Sequence, residues 1–232
     1  IVSRDGSSDV CSSDLAAGQI PAAKFQEIVV REPSFFEGLS KMLGEFDLAA
    51  WQNWLRWHIL SGAAAYLNEA LVNQNFAFYG TTLSGTPQIR ERWKRGISLV
   101  EGALGEEIGK EYVKLHFPES SKIKMEKLVD NLLKVYEVSI KELDWMTDET
   151  KARALEKLAK FRPKIAYPDK WRDYSALTID RGPYILNVLR GSAFLVRWNL
   201  NKIGRPIDRT EWEMTPQTVN AYYDPSMNNI NI

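Results

Sequence analysis

A hydrophobic period of three to four residues runs through most of this chain and then stops, and that switch constrains the fold more than any other feature. Met125, Leu128, Val129, Leu132, Val135, Tyr136, Ile140 and Leu143 recur at helical spacing, which lines them along one face that calls for apolar cover. The same rhythm predicts a short helix from Pro33 stopped by Gly44, a longer one over residues 48–78, and two more over residues 89–104 and 108–117, separated near Gly105. Pro118 opens the helix that carries Met125. Thr147 or Asp148 caps the next, whose inner face is Ala152, Leu155, Leu158 and Ala159. Residues 162–167 read as a strand or extended link before Pro168, and residues 183–203 as a last helix. At Gly204-Arg205-Pro206 the period falls to two. Thr218, Asn220 and Tyr222 then face one way, Val219, Ala221 and Tyr223 the other, and Asp224-Pro225 favours a turn before residues 228–232. The expected fold is mainly α, with a short C-terminal β-hairpin.

A chain of 232 residues is long enough for a sizeable core and, at roughly 150 residues per domain, for one to two domains. Thirty Lys and Arg balance thirty Asp and Glu, so the basic footprint of a nucleic-acid partner is missing. One cysteine, Cys11, excludes an intrachain disulfide and a cysteine zinc site. His58 and His116 are the only histidines, without local ligand spacing. No apolar run predicts a membrane span, and the start lacks the order of a signal peptide. Residues 1–15 contain a near-repeat of Ser-Ser-Asp and few large apolar groups. They resemble a translated sequencing adapter and are expected to be disordered and non-native, Cys11 included. The second hairpin strand ends on Ile232 with no turn or cap after it, which leads to the expectation of a truncated chain.

Trp54-Leu55-Arg56-Trp57-His58 and Arg92-Trp93-Lys94-Arg95 interleave rings and cations as a single-strand stacking surface does. Tryptophans at helical spacing are expected as core, however, and zero net charge removes the attraction such binding uses. Each histidine sits in an apolar helical stretch and reads as packed or solvated. Gly102, Gly105 and Gly109 read as helix-junction glycines, since no strand precedes them and Lys110 is not followed by Ser or Thr. The segment Val219-Asn220-Ala221-Tyr222-Tyr223 is different. It puts an amide side chain in an edge strand, where an extended peptide can add by main-chain hydrogen bonds; ordinary packing of a Tyr-rich hairpin is the alternative.

Several motifs in order carry a wider resemblance: Phe76-Ala77-Phe78-Tyr79 with Leu83-Ser84-Gly85, Arg92-Trp93-Lys94-Arg95, Tyr112-Val113 to Phe117-Pro118, and Asp144-Trp145-Met146 with Thr150, Ala154 and Lys157. Tyr167-Pro168-Asp169 and Trp212-Glu213-Met214-Thr215-Pro216 follow, leading to Val219–Tyr223. Over residues 25–232 the chain resembles the neprilysin/endothelin-converting-enzyme family of zinc endopeptidases, in a bacterial form. The resemblance implies a multi-helix lobe of a two-lobed metallopeptidase, with residues 16–205 as the access-limiting helical lobe and its connections. Residues 206–232 would begin a truncated catalytic lobe with the substrate-binding strand. There Asn220, by its side chain, and Ala221, by its backbone, would hold the main chain of small peptide substrates. The family's zinc site, His-Glu-x-x-His plus a further Glu, has no counterpart in this sequence. Zinc is therefore expected in the full-length protein and not in this chain, which is expected to be inactive alone. The resemblance also implies an extracytoplasmic setting, in the periplasm or cell envelope. A non-catalytic helical interaction module is the alternative function.

Overall fold

The computed structural model describes residues 29–232; residues 1–15, expected to be disordered and non-native, lie outside the described residues. Proline has no amide hydrogen to leave unpaired in a first turn, and α1 (Pro33–Glu45) begins on one. Gly44 does not take the left-handed conformation that ends helices. The helix stops instead at Phe46, which is extended and whose N–H still donates to the Met42 carbonyl at 3.0 Å.

Asp47 caps α2 (Leu48–Ala63), its Oδ1 accepting from the Ala50 N–H at 2.7 Å. The single helix expected over residues 48–78 is in fact divided. After α2 come a tight turn at Ala64–Tyr66, then α3 (Glu69–Asn75), which widens into π-helical turns at Phe76–Leu83. Asn68 makes the division: Leu67 is extended, and Asn68 Oδ1 accepts from the Leu71 N–H at 3.1 Å. A side-chain cap thus starts a new helix where apolar spacing reads straight through.

The described residues form two compact units. One comprises residues up to Ala103 together with Ser175–Pro206. It holds α1 to α3, the first part of α4 (Arg92–His116), and α7 (Tyr184–Leu200). Ala64 and Leu200 are buried in it, and the Tyr66 and Tyr184 rings lie edge to face with their centres 6.2 Å apart. Phe35, Phe36, Leu48, Trp54, Trp57 and Ile59 are exposed. The boundary within α4 falls at Leu104, whose φ of −132° and ψ of 26° are non-helical. The two helices expected on either side of Gly105 are thus present, meeting at this kink.

The second unit comprises Leu104–Tyr174 and Ile207–Ile232. In it, α5 (Glu119–Glu142) follows Pro118, and Thr147 Oγ1 caps α6 (Asp148–Ala159) by accepting from the Thr150 N–H at 3.2 Å. Three short strands, β1 (Arg162–Lys164), β2 (Tyr222–Asp224) and β3 (Asn229–Asn231), form a sheet in the order β1-β3-β2. Strand β3 is parallel to β1, with Arg162 opposite Asn229, and antiparallel to β2, with Tyr223 opposite Ile230. The hairpin is present, but the strand expected to include residues 218–221 begins only at Tyr222, because a turn at residues 215–218 occupies the approach. Val129, Ile165 and Trp212 are buried here beside Glu106, Asn229 and Asn231. Of the α5 stripe, Val129 is covered while Leu128, Leu132, Val135 and Tyr136 are exposed. No helix among the described residues is long and apolar enough to cross a membrane.

Candidate substrate-binding segment

Residues 212–232 pass from a buried anchor, over an exposed stretch, into the sheet. Trp212 is the anchor. Next to it, the Glu213 N–H donates to the Tyr222 hydroxyl at 3.4 Å. Burial pushes the Tyr222 phenol above its ordinary value, against that hydrogen bond. The chain then turns at residues 215–218: the Thr218 N–H donates to the Thr215 carbonyl at 3.0 Å, and the two threonine hydroxyls lie 2.9 Å apart. Pro216 sits where a fixed φ pre-sets such a turn.

Val219, Asn220 and Ala221 emerge exposed from this turn. The structure thus brings both predicted binding residues together at the surface, just before β2 rather than within it. The Ala221 N–H donates to Asn220 Oδ1 at 2.8 Å, while Asn220 Nδ2 has no hydrogen-bond acceptor among the described residues. Strand β2 pairs with β3 alone, leaving its other side as a sheet edge among the described residues. An extended peptide can add to such an edge, since its main-chain groups match those left without a ladder partner.

The far end of the hairpin is pinned. Asp224 Oδ1 accepts from the Ser226 N–H at 2.8 Å and the Met227 N–H at 3.3 Å. Asn228 is left-handed at φ 51°, a conformation Asn tolerates. Its Nδ2 donates to the Lys157 carbonyl at 2.8 Å, and its own carbonyl accepts from the Arg162 N–H at 3.0 Å. The Tyr223 ring stacks on Phe161 at 6.2 Å, with the Lys157 ammonium 5.6 Å from the ring. Behind the edge, Asn229 and Asn231 are 2% and 0% exposed, and Asn231 Nδ2 donates to Asn229 Oδ1 at 2.8 Å.

Lys164, on β1, donates to the Glu211 carbonyl at 2.7 Å. Burial lowers its ammonium pKa from the ordinary lysine value, opposed by the nearby charges of Glu213, Asp208, Asp224 and Glu211. The Asp208 carboxyl is held below its usual range by the Thr210 hydroxyl first and the Thr210 N–H next, with Lys170 and Lys164 adding to it. These contacts tie residues 208–213 to the sheet that carries the segment.

The other candidate clusters fare differently. Trp54, Trp57 and Trp93, expected as core, are 51%, 57% and 61% exposed; helical spacing gives a shared face but does not provide its cover. His58 lies against two indoles, with ring centres 4.2 Å from Trp54 and 4.9 Å from Trp57, and the His116 ring lies 5.2 Å from Tyr112. Among the described residues no group of three or more His, Cys, Asp or Glu is placed to hold a metal ion. They do not fit a zinc site, which takes three or four such ligands, so no chemical step through a metal is assigned to them.

Residues 11–168 match the profile described as peptidase family M13. The chain belongs to that family. As a neprilysin-like M13 member it is 31% identical over 205 residues to the neutral endopeptidase of Lactococcus lactis, an alignment that takes in 88% of this chain and 32% of that protein. It is 30% identical over 219 residues to human endothelin-converting enzyme 1, covering 88% of this chain and 28% of the relative. The zinc metalloprotease Zmp1 of Mycobacterium tuberculosis, in its open state, is similar in structure with a TM-score of 0.84 and 44% identity, over 94% of this chain and 36% of that one. This M13 chain therefore spans about a third of the length of the relatives it matches. The expected mainly α fold and the expected family both hold.

Sequence reasoning missed Gly105 and Gly109, which contact the turn that leads to Asn220, and Gln217, which reaches from that turn to the Gly105 carbonyl. The four-residue spacing of the glycines, which puts both on one helix face, was the available signal; as helix-junction residues they carried no partner.

Proposed function

We propose that these residues are part of a longer zinc metalloendopeptidase that hydrolyses small peptides. Residues 16–205 supply the helical access-limiting lobe and its connections, and residues 206–232 begin the catalytic lobe. In this reading the zinc ligands lie outside this chain, which is inactive alone. The setting is extracytoplasmic, in the periplasm or cell envelope.

The observation that carries the proposal is the exposed pair Asn220 and Ala221 leading into the edge strand β2, in a chain of the M13 family. A peptide lying along this edge offers an N–H to Asn220 Oδ1 and a carbonyl to Asn220 Nδ2. Without a peptide, Asn220 Oδ1 is occupied by the Ala221 N–H at 2.8 Å. Binding exchanges that local bond for intermolecular ones, so Asn220 contributes orientation and a modest net affinity.

The test uses the enzyme encoded by the intact reading frame. Asn220→Ala is expected to lower kcat/KM on a short internally quenched peptide about tenfold, the loss of one to two hydrogen bonds, with zinc content unchanged. Wild-type kinetics in that variant would remove the role of Asn220. The 232-residue chain with added zinc is expected to cleave nothing; cleavage would overturn its assignment as a part of the catalytic unit. An intact product with neither zinc nor peptidase activity would favour the helical interaction module.

A further inference from the structure

Gly105 and Gly109, one turn apart on α4, are both buried, and a side chain on either would strike the segment that leads to Asn220. A Cβ at Gly105 would lie 2.6 Å from Thr215 Cγ2, and one at Gly109 would lie 2.8 Å from Pro216 Cδ. Real Cβ contacts are not that short, so the helix backbone and the turn touch because both positions lack a side chain. Gln217 closes the contact from the other side, its Nε2 donating to the Gly105 carbonyl at 3.1 Å. The neighbouring Glu106 is buried as well, accepting from the Arg172 N–H at 2.7 Å, which holds this part of α4 in place. Within the turn, the Thr215 and Thr218 hydroxyls, 2.9 Å apart, fix the side chain whose methyl faces Gly105.

We infer that Gly105, Gly109 and Gln217 are positioning residues for peptide binding: the two glycines form a seat on the helix, and Gln217 fastens the turn at residues 215–218 to it, which sets where that turn delivers Asn220 and Ala221. The inference rests on the proposed peptide-binding role of that pair. Residues 219–221 are exposed beyond the turn, so their position follows from how the turn is seated at one end and how β2 is paired at the other. A shift of the turn by a fraction of an ångström propagates directly to Asn220. A Cβ at Gly102, in the same helix, would meet nothing within 4 Å, so the restriction belongs to the seat and not to α4 as a whole.

The experiment compares variants of the enzyme from the intact reading frame on a short internally quenched peptide. Gly105→Ala is expected to raise KM about tenfold while kcat per zinc changes less than about threefold, as displacement of a binding group does. General destabilisation would instead lower the amount of active enzyme at constant KM. Thr215→Ser removes the obstructing methyl, keeps the hydroxyl, and leaves Thr215 Cβ at 3.8 Å as the next neighbour. The double variant Gly105→Ala/Thr215→Ser is therefore expected to recover most of the lost KM, and Gly102→Ala to keep wild-type kinetics. Unchanged KM in Gly105→Ala, or no recovery in the double variant, overturns the seat. If Gly105→Ala does not fold, Gln217→Ala adds no atom to the helix; it is expected to raise KM about threefold through one lost hydrogen bond, and an unchanged KM overturns the seat. Asn220→Ala separates the two levels. A raised KM there with none in the seat variants removes the seat alone, whereas wild-type kinetics of Asn220→Ala remove both.

Discussion

An arginine–carboxylate pair occurs in each compact unit, and the two pairs differ in their surroundings. In the unit that resumes at Ser175, Arg190 Nη1 lies 2.8 Å from Asp180 Oδ2, both side chains substantially exposed and ten residues apart. In the other, Arg172 Nη2 lies 3.5 Å from Glu106 Oε1 with both side chains largely buried, and the Arg172 N–H adds a 2.7 Å bond across 66 residues. The same contrast extends further. The second unit is tied together by long-range bonds such as Lys164 to Glu211, Asn228 to Lys157 and Gln217 to Gly105. In the first, bonds such as Ala50 to Asp47, Arg56 to Asn53 and Leu71 to Asn68 stay within one helical turn. Water screens an exposed pair, whereas a buried one becomes costly as soon as one member is lost. The unit that bears the candidate site is thus the one where single polar side chains matter most.

The sharpest way to break this contrast is to remove one member of each pair. Glu106→Ala is expected to destabilise its unit by about 3 kcal/mol, and Arg190→Ala its own by less than about 1 kcal/mol. Segment-resolved hydrogen exchange in a urea series reads the two separately, and equal losses would erase the difference. A smaller effect separates covered from uncovered positions on a single helix: Val129→Ala is expected to cost about 2 kcal/mol and Leu132→Ala less than about 1 kcal/mol, since Val129 is buried and Leu132 half exposed. The same exchange measurement checks it, and a reversed order would mean that α5 is covered on its other face.

The smallest expected effect is in acid. The Asp208 carboxyl sits below its ordinary value of 3.8, held there by the Thr210 hydroxyl and amide, so its contribution is present above that pH. As pH falls, the unfolded chain binds a proton before the folded one does, and the contribution disappears through the lower, folded value. Asp208→Asn is expected to lower the neutral stability of the second unit slightly and to flatten the acid limb of its stability–pH curve, so that the two proteins converge at low pH. An acid limb identical to wild type would show that Thr210 stabilises the charged carboxylate no more than water does.

Much of the helical architecture is legible in the amino-acid order. The starts of α1, α5 and α6 follow from Pro33, Pro118 and Thr147, because capping and the missing proline amide act within a few residues. The break at Asn68 is legible in principle, as a capping side chain followed by Glu69, but the continuous apolar spacing outweighs it. Asn220 and Ala221 do lie side by side at the surface, yet outside the strand expected to hold them: alternation predicts a strand wherever it occurs, and the turn at residues 215–218 displaces its start to Tyr222. The tryptophans of α2 show the converse error, since a shared helical face does not say whether anything covers it.

The amino-acid order by itself determined where helices begin, where the hydrophobic period changes, and which two residues bring an amide side chain and exposed backbone to the start of a hairpin. Each of these depends on groups a few residues apart. The tertiary structure alone decided that β1 would lie beside β3, that Asn229 and Asn231 would be buried, and that Gly105 would meet a turn whose Gln217 is 112 residues away. Those outcomes depend on which distant segments exclude water from one another, and a local pattern carries the propensity of each segment without the identity of its partner.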